Sequence, residues 1–218
     1  MEIDNYIKIK SELPEPITLV AVSKTQQLND IQQMYNLGQR VFGENKVQEL
    51  VEKYQTLPKD INWHFIGHLQ TNKVKIIAPF ISLIHSIDSG KLLFEVNKEA
   101  KKNNRIIDCL LQIYIAKEET KYGFSVEEVN NFLLSEAFKE LENVRIVGVM
   151  GMATFTEEKK QVMNEFSSLK TIFSQFKENY FADKLYFKQI SMGMSQDYHL
   201  AIEAGSTMVR IGTLLFGS

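Results

Sequence analysis

Lys24 closes an apolar run, Ile17-Thr18-Leu19-Val20-Ala21-Val22-Ser23-Lys24, and is the residue of this chain best placed to act as a nucleophile. An amine at the end of a buried strand can occupy a semi-enclosed, partly desolvated site, where the neutral form is favoured and can attack a carbonyl. The alternative is a lysine whose stem packs on the strand end while its ammonium reaches water. Two later segments carry a second kind of chemistry. Ser191-Met192-Gly193-Met194-Ser195 and Arg210-Ile211-Gly212-Thr213 offer backbone N–H groups at Gly193 and Gly212, hydroxyls at Ser191 and Thr213, and a guanidinium. That set suits an anion, and a helix starting after Ser195 would add its positive dipole end. In the competing reading the glycines only make tight turns and Arg210 pairs with a core carboxylate, Glu203 or Glu44.

These residues need a scaffold that brings distant segments to one rim. Apolar runs at 19–23, 39–42, 63–66, 83–86, 110–115, 145–149, 186–190 and 208–215 read as strands buried on both faces. Helical patterns lie between nearly all of them, over 28–37, 47–54, 72–80, 91–102, 126–141, 157–180 and 196–204, the last with Ser195 as N-cap and Gly205 as stop. Continuous strands alternating with amphipathic helices mean a parallel sheet covered by helices. About eight such units in one chain point to a single closed (β/α)8 barrel spanning 1–218, with a doubly wound open sheet as competitor. No glycine-rich dinucleotide fingerprint follows the first strand, where the sequence is Ser23-Lys24-Thr25-Gln26. In such barrels function sits at the carboxyl ends of the strands, and the loops after strands 7 and 8 frequently hold a phosphate.

The bulk composition narrows the partners. With 218 residues, 44% hydrophobic and 24% charged, and a formal net charge of −2, the chain reads as an ordinary globular protein with no bias toward nucleic acid or membrane surfaces. Cys109, the one cysteine, lies in an apolar run and reads as a small buried hydrophobe. Without a Cys/His cluster a zinc site is not expected. The acidic N-terminus lacks a signal-peptide pattern, and no apolar stretch is long enough to span a bilayer, so a cytoplasmic protein is expected; a monomer is the expected state.

An amine at the end of strand 1 and an anion cradle at strands 7 and 8 are adjacent around a closed barrel. Together they fit an aldehyde that carries a phosphate, and pyridoxal 5'-phosphate (PLP) satisfies both ends, with the lysine forming a Schiff base. The motifs then converge. Ala21-Val22-Ser23-Lys24-Thr25, Phe42-Gly43-Glu44-Asn45, Trp63-His64-Phe65-Ile66-Gly67 with Leu69-Gln70-Thr71-Asn72-Lys73, Ser191-Met192-Gly193-Met194-Ser195 and the closing 204–213 segment stand in order. From about Val20 to Gly217 the chain resembles the pyridoxal phosphate homeostasis protein family, a PLP-binding barrel similar to the N-terminal domain of bacterial alanine racemase. The resemblance implies a protein without established turnover that buffers or delivers PLP to apo-enzymes. It also implies Lys24 as the Schiff-base lysine, Arg210 facing the pyridine nitrogen, and Ser191, Gly212 and Thr213 as phosphate ligands. Asn45 would lie near the ring's exocyclic oxygen. The chain departs from the family pattern at Lys46, where an aromatic is common, and at His68, where proline is common.

Other residues carry competing readings. His64 reads as a hydrogen-bonded core histidine rather than a general base. Met150, Met152, Met192 and Met194 read as gap-filling packing or as a soft floor under a flat ring. Lys101, Lys102 and Arg105 read as a solvated helix end. Tyr114 and Tyr122, beside the charged 117–121 segment, are candidates for a second base. They would matter for the alternative function, a PLP-dependent racemase-type enzyme acting on a small amino acid. The related racemases draw one base from an extra C-terminal β-domain, which is expected to be missing because the sequence ends at Ser218 directly after the last strand.

Overall fold

The structure, a computed structural model, describes residues 2–116 and 123–217. Eight strands pair in parallel and in sequence order into a closed barrel: β1 (Thr18–Val22), β2 (Val41–Glu44), β3 (Asn62–Phe65), β4 (Leu83–Ile87), β5 (Ile107–Gln112), β6 (Val144–Met150), β7 (Gln189–Ser191) and β8 (Met208–Ile211). Closure comes from β1 against β8, with Val20 opposite Arg210. The helices are α1 (Ile3–Glu12), α2 (Leu28–Asn36), α3 (Val47–Thr56), α4 (Thr71–Ile77), α5 (Gly90–Lys102), α6 (Val126–Leu134), α7 (Glu136–Lys139), α8 (Lys159–Tyr180), α9 (Tyr198–Glu203) and α10 (Thr213–Phe216).

The alternation of side chains across each strand sorts the core into two shells. Leu19, Ala21, Phe42, Trp63, Phe65 and Ile84 point outward and pack with Ile31, Leu50, Val74, Leu93 and Phe166 from the helices. Val20, Leu83, Leu110, Val147, Met150 and Met208 fill the barrel interior. Burying each large side chain contributes roughly 1.5–3 kcal/mol, so the outer shell supplies most of the stabilisation. Cys109 is fully buried, and burial pushes its thiol pKa up. Among the described residues no helix is long and apolar enough to cross a membrane, and no group of His, Cys, Asp and Glu could hold a metal.

Several boundaries differ from expectation for local reasons. β2 begins at Val41 rather than 39, because the buried Gln39 spends its amide on Leu19 O at 2.8 Å and Val41 O at 2.7 Å. β7 starts only at Gln189, since Phe187 leaves the sheet to stack between Phe173 and Phe181, with ring centroids at 4.9 and 4.2 Å. The 126–141 helix divides at Ser135, whose Oγ donates to Phe132 O and accepts from Phe138 N–H. The 208–215 run is a strand only to Ile211, after which the chain turns into α10. Helix α1 was not anticipated; it buries Tyr6 and Ile9, and Glu2 N–H donates to Leu215 O beside α10.

Candidate functional site

Lys24 stands just beyond β1 at the carboxyl-end rim, with the parity of Val20, which lies inside the barrel. The backbone turns there: Gln26 N–H donates to Ser23 O at 3.1 Å, and Thr25 has φ +65°. Contrary to the semi-enclosed site expected, Lys24 is exposed, because the chain leaves the wall as soon as the strand ends. Among the described residues its amine has no hydrogen-bond or ion-pair partner.

Arg210, also facing inward, lies at the level of Val20, four positions or roughly 13 Å of strand below Lys24. Its side chain is buried, and neither Glu203 nor Glu44 pairs with it. One Nη donates to Ser191 Oγ at 2.7 Å and the other to Gly151 O at 3.2 Å. Among the described residues these two bonds leave most of the five guanidinium donors unused. Burial lowers its pKa to about 10, so the group stays charged at neutral pH.

Behind Arg210 runs a polar chain through the barrel. Ser191 Oγ lies 3.0 Å from His85 Nδ1, and His85 Nε2 lies 3.0 Å from His64 Nδ1. Arginine can only donate, so the Ser191 hydroxyl accepts from it, and its own hydrogen, with no other acceptor among the described residues, turns toward His85. That order makes His85 donate from Nε2 to His64. Burial pushes His85 well below the ordinary histidine value and His64 to about 3, which keeps both rings neutral. His64 is thus the hydrogen-bonded core histidine expected. It reaches a cavity of about 500 Å³ at the opposite, amino-terminal mouth, lined also by Asp108, Arg145 and Tyr186.

The corner beyond β7 and β8 differs in detail from expectation. Helix α9 begins at Tyr198, not 196, and Asp197 rather than Ser195 precedes it; the Asp197 carboxylate accepts from Met194 N–H at 2.6 Å. A carboxylate already sits where the dipole end was to meet an anion. Ser195, freed from capping, accepts from Gly212 N–H at 3.3 Å, so its hydroxyl joins Gly212 and Thr213 at the rim. Gly193, at φ +94°, lets this loop lie on α9: a Cβ there would stand 2.5 Å from the Cβ of Ala201. Ser191 is fully buried and engaged with Arg210 and His85.

Asn45 follows β2 on the same rim, with Oδ1 buried and without a hydrogen-bond partner among the described residues. Gly67 lies against it so closely that a Cβ would come within 2.5 Å of Asn45 O. Of the residues predicted for the site, Lys24, Asn45, Gly212 and Thr213 lie at the carboxyl-end rim, while Arg210 and Ser191 lie inside the barrel. His68 meets Asp88 at 3.0 Å, and Lys46 is exposed ahead of α3. Met150 and Met192 are buried packing, whereas Met194 is exposed. Arg105 is no solvated helix end, because it donates to Ala78 O and Ile81 O at 2.5 and 2.7 Å. Tyr114 is exposed after β5; Tyr122 and the 117–121 segment lie outside the described residues.

Sequence reasoning passed over His85, although a histidine in an otherwise apolar strand was a signal. It also read Ser195 as a helix cap, a role that Ser and Asp fill about equally well.

Known proteins resemble this chain over nearly its whole length. The family model described as alanine racemase, N-terminal domain, matches residues 3–218. A pyridoxal phosphate homeostasis protein of Aquifex aeolicus is 42% identical over 91% of this chain and 86% of its own. The protein of that name from Synechocystis is 36% identical over 97% of this chain and 96% of its own. The solved structure of PipY from Synechococcus elongatus with PLP bound is 31% identical, superposes with a TM-score of 0.89 and covers all of both chains. An alanine racemase of Clostridium difficile shares the fold at 15% identity and a TM-score of 0.74, over 99% of this chain and 55% of its own. The chain belongs to the pyridoxal phosphate homeostasis protein family, built on the alanine racemase N-terminal domain fold.

Proposed function

We propose that this protein binds PLP, holds it as a Schiff base on Lys24, and buffers or delivers it to apo-enzymes in cytoplasmic vitamin B6 homeostasis. The observation that carries this reading is Arg210: a buried cation that makes no close ion pair with a carboxylate among the described residues, Asp197 acting on it only at longer range, and that has donors to spare. A buried charge left unpaired is costly, and an acceptor supplied from outside, such as a pyridine nitrogen, would offset that penalty. The other residues fit the same group. Among the described residues nothing engages the Lys24 amine above Arg210, and Asn45 offers a buried amide oxygen without a partner. An amide flip would exchange that acceptor for a donor pair without moving the residue.

Ser195, Gly212 and Thr213 are assigned to the phosphate, since Gly212 N–H and the Ser195 hydroxyl already meet at the rim. Ser191, assigned to the phosphate by resemblance, is reassigned here as the acceptor that orients Arg210. When bound, PLP supplies an aldehyde to the lysine amine. A protonated arginine facing the pyridine nitrogen keeps that nitrogen unprotonated, which weakens the ring as an electron sink and disfavours racemase chemistry. The protein is assigned as a monomer, since the carrier role calls on no residue of a second copy.

The test is direct. Purified protein incubated with PLP and dialysed should remain yellow, pass the cofactor to an apo-enzyme, and move no amino-acid α-proton in deuterated water. Rapid α-proton exchange would favour the racemase-type alternative.

A further inference from the structure

We propose that Lys53, Glu44 and Glu49 form a positioning clamp for Lys24, built behind the barrel wall and gripping the backbone on both sides of that lysine. This inference rests on Lys24 being the PLP attachment point.

Lys53 projects from α3, yet its side chain is only 4% exposed. Its ammonium donates to three oxygens: Ser23 O at 2.6 Å, Glu44 Oε1 at 2.8 Å and Glu49 Oε1 at 2.6 Å. Three acceptors saturate an ammonium. Glu44 Oε1 also accepts from the Ser23 hydroxyl at 2.6 Å, and Glu49 Oε1 accepts from Thr25 N–H at 2.5 Å. The residue before Lys24 is thus held through its carbonyl and hydroxyl, and the residue after it through its amide. Lys24 itself touches none of the three.

The backbone explains why a clamp is needed. Thr25 sits at φ +65°, the third position of a turn from Ser23 to Gln26 that glycine or asparagine ordinarily fills. A β-branched residue there is strained, and such strain persists only when surrounding contacts over-determine it. Glu49 supplies a charge-assisted bond at the strained amide, and Lys53 fixes the carboxylate that makes it. The desolvation of a buried ion pair makes this a poor device for stability alone. A buried ammonium and two carboxylates spent on the two residues that flank Lys24 fit a need to hold one amine in place.

The experiment compares two ligands and three variants. Pyridoxal 5'-phosphate needs the amine, whereas pyridoxine 5'-phosphate carries an alcohol in place of the aldehyde and uses only the ring and phosphate contacts. Glu49→Ala should slow the appearance of the yellow species roughly tenfold or more while leaving pyridoxine 5'-phosphate affinity within about twofold. Thr25→Gly removes the strain, so Thr25→Gly/Glu49→Ala should recover to within about threefold of the wild-type rate. Lys53→Met strands two carboxylates, so it is paired with Glu44→Gln, and that double variant should repeat the Glu49→Ala split. Wild-type capture retained at full rate by Glu49→Ala and by the double variant would overturn the clamp alone. Wild-type protein that binds pyridoxine 5'-phosphate but forms no yellow species would overturn the attachment at Lys24, and the clamp with it.

Discussion

Replacing Arg210 with methionine separates a cation kept for a ligand from one kept for the fold. Burial holds the guanidinium at about 10, well below its ordinary value. That difference amounts to about 3 kcal/mol of folding free energy withheld by the charge. Against it stand the bonds to Ser191 Oγ at 2.7 Å and Gly151 O at 3.2 Å. As charge-assisted bonds each contributes roughly 1.5–3 kcal/mol. The opposing contributions are of similar size, so Arg210→Met should change the stability of the PLP-free protein by no more than about 3 kcal/mol. Loss of a charge-assisted bond to the ring nitrogen should weaken PLP binding about 10- to 150-fold. Urea unfolding can be followed through Trp63, the one tryptophan, which is fully buried, and affinity by titration of the same protein. A variant destabilised by more than about 4 kcal/mol that still binds PLP with unchanged affinity would refute the reasoning and make Arg210 a structural residue.

Three further outcomes follow from the geometry. Lys24→Ala should leave the free energy of urea unfolding within about 0.5 kcal/mol of wild type, because the residue is exposed, yet abolish cofactor fixation by borohydride; fixation at wild-type yield would contradict the assignment. Gly67→Ala places a Cβ 2.5 Å from Asn45 O, so it should cost about 1–3 kcal/mol in urea unfolding and weaken PLP binding; a silent substitution would show that Asn45 is not held by this contact. The folded protein refuses at His64 a proton that the unfolded chain accepts below 6.5, and does so down to about 3. Its stability contribution is therefore complete above 6.5 and falls by up to about 5 kcal/mol as pH drops toward 3. His64→Asn should reduce the slope of that part of the acid-unfolding curve, leaving the share of His85, which burial also keeps neutral, and an unchanged slope would show that His64 is not a titrating group.

The barrel was legible because parallel strands buried on both faces leave continuous apolar runs, and eight of them alternated with helical patterns. Boundaries failed where one side chain satisfied backbone groups locally, as Gln39 does ahead of β2 and Ser135 does between α6 and α7. Lys24 and Arg210 stood out because each is a cation attached to an apolar strand. The network around them was hidden for a different reason. Glu49 and Lys53 stand at the i,i+4 spacing common to surface pairs, and only the packing of α3 on β1 and β2 buries the Lys53 ammonium against Ser23 and Glu44. Ser195 and Asp197 are interchangeable as helix caps in composition, so spacing could not decide which hydroxyl or carboxylate the rim would present.

The attachment of vitamin B6 phosphate to one particular nitrogen is tested most directly by reducing the PLP-loaded protein with borohydride, digesting it and sequencing the modified peptide by mass spectrometry. The account predicts a single pyridoxyl adduct, on Lys24. An adduct on Lys46 or any other lysine, or none at all, would contradict it.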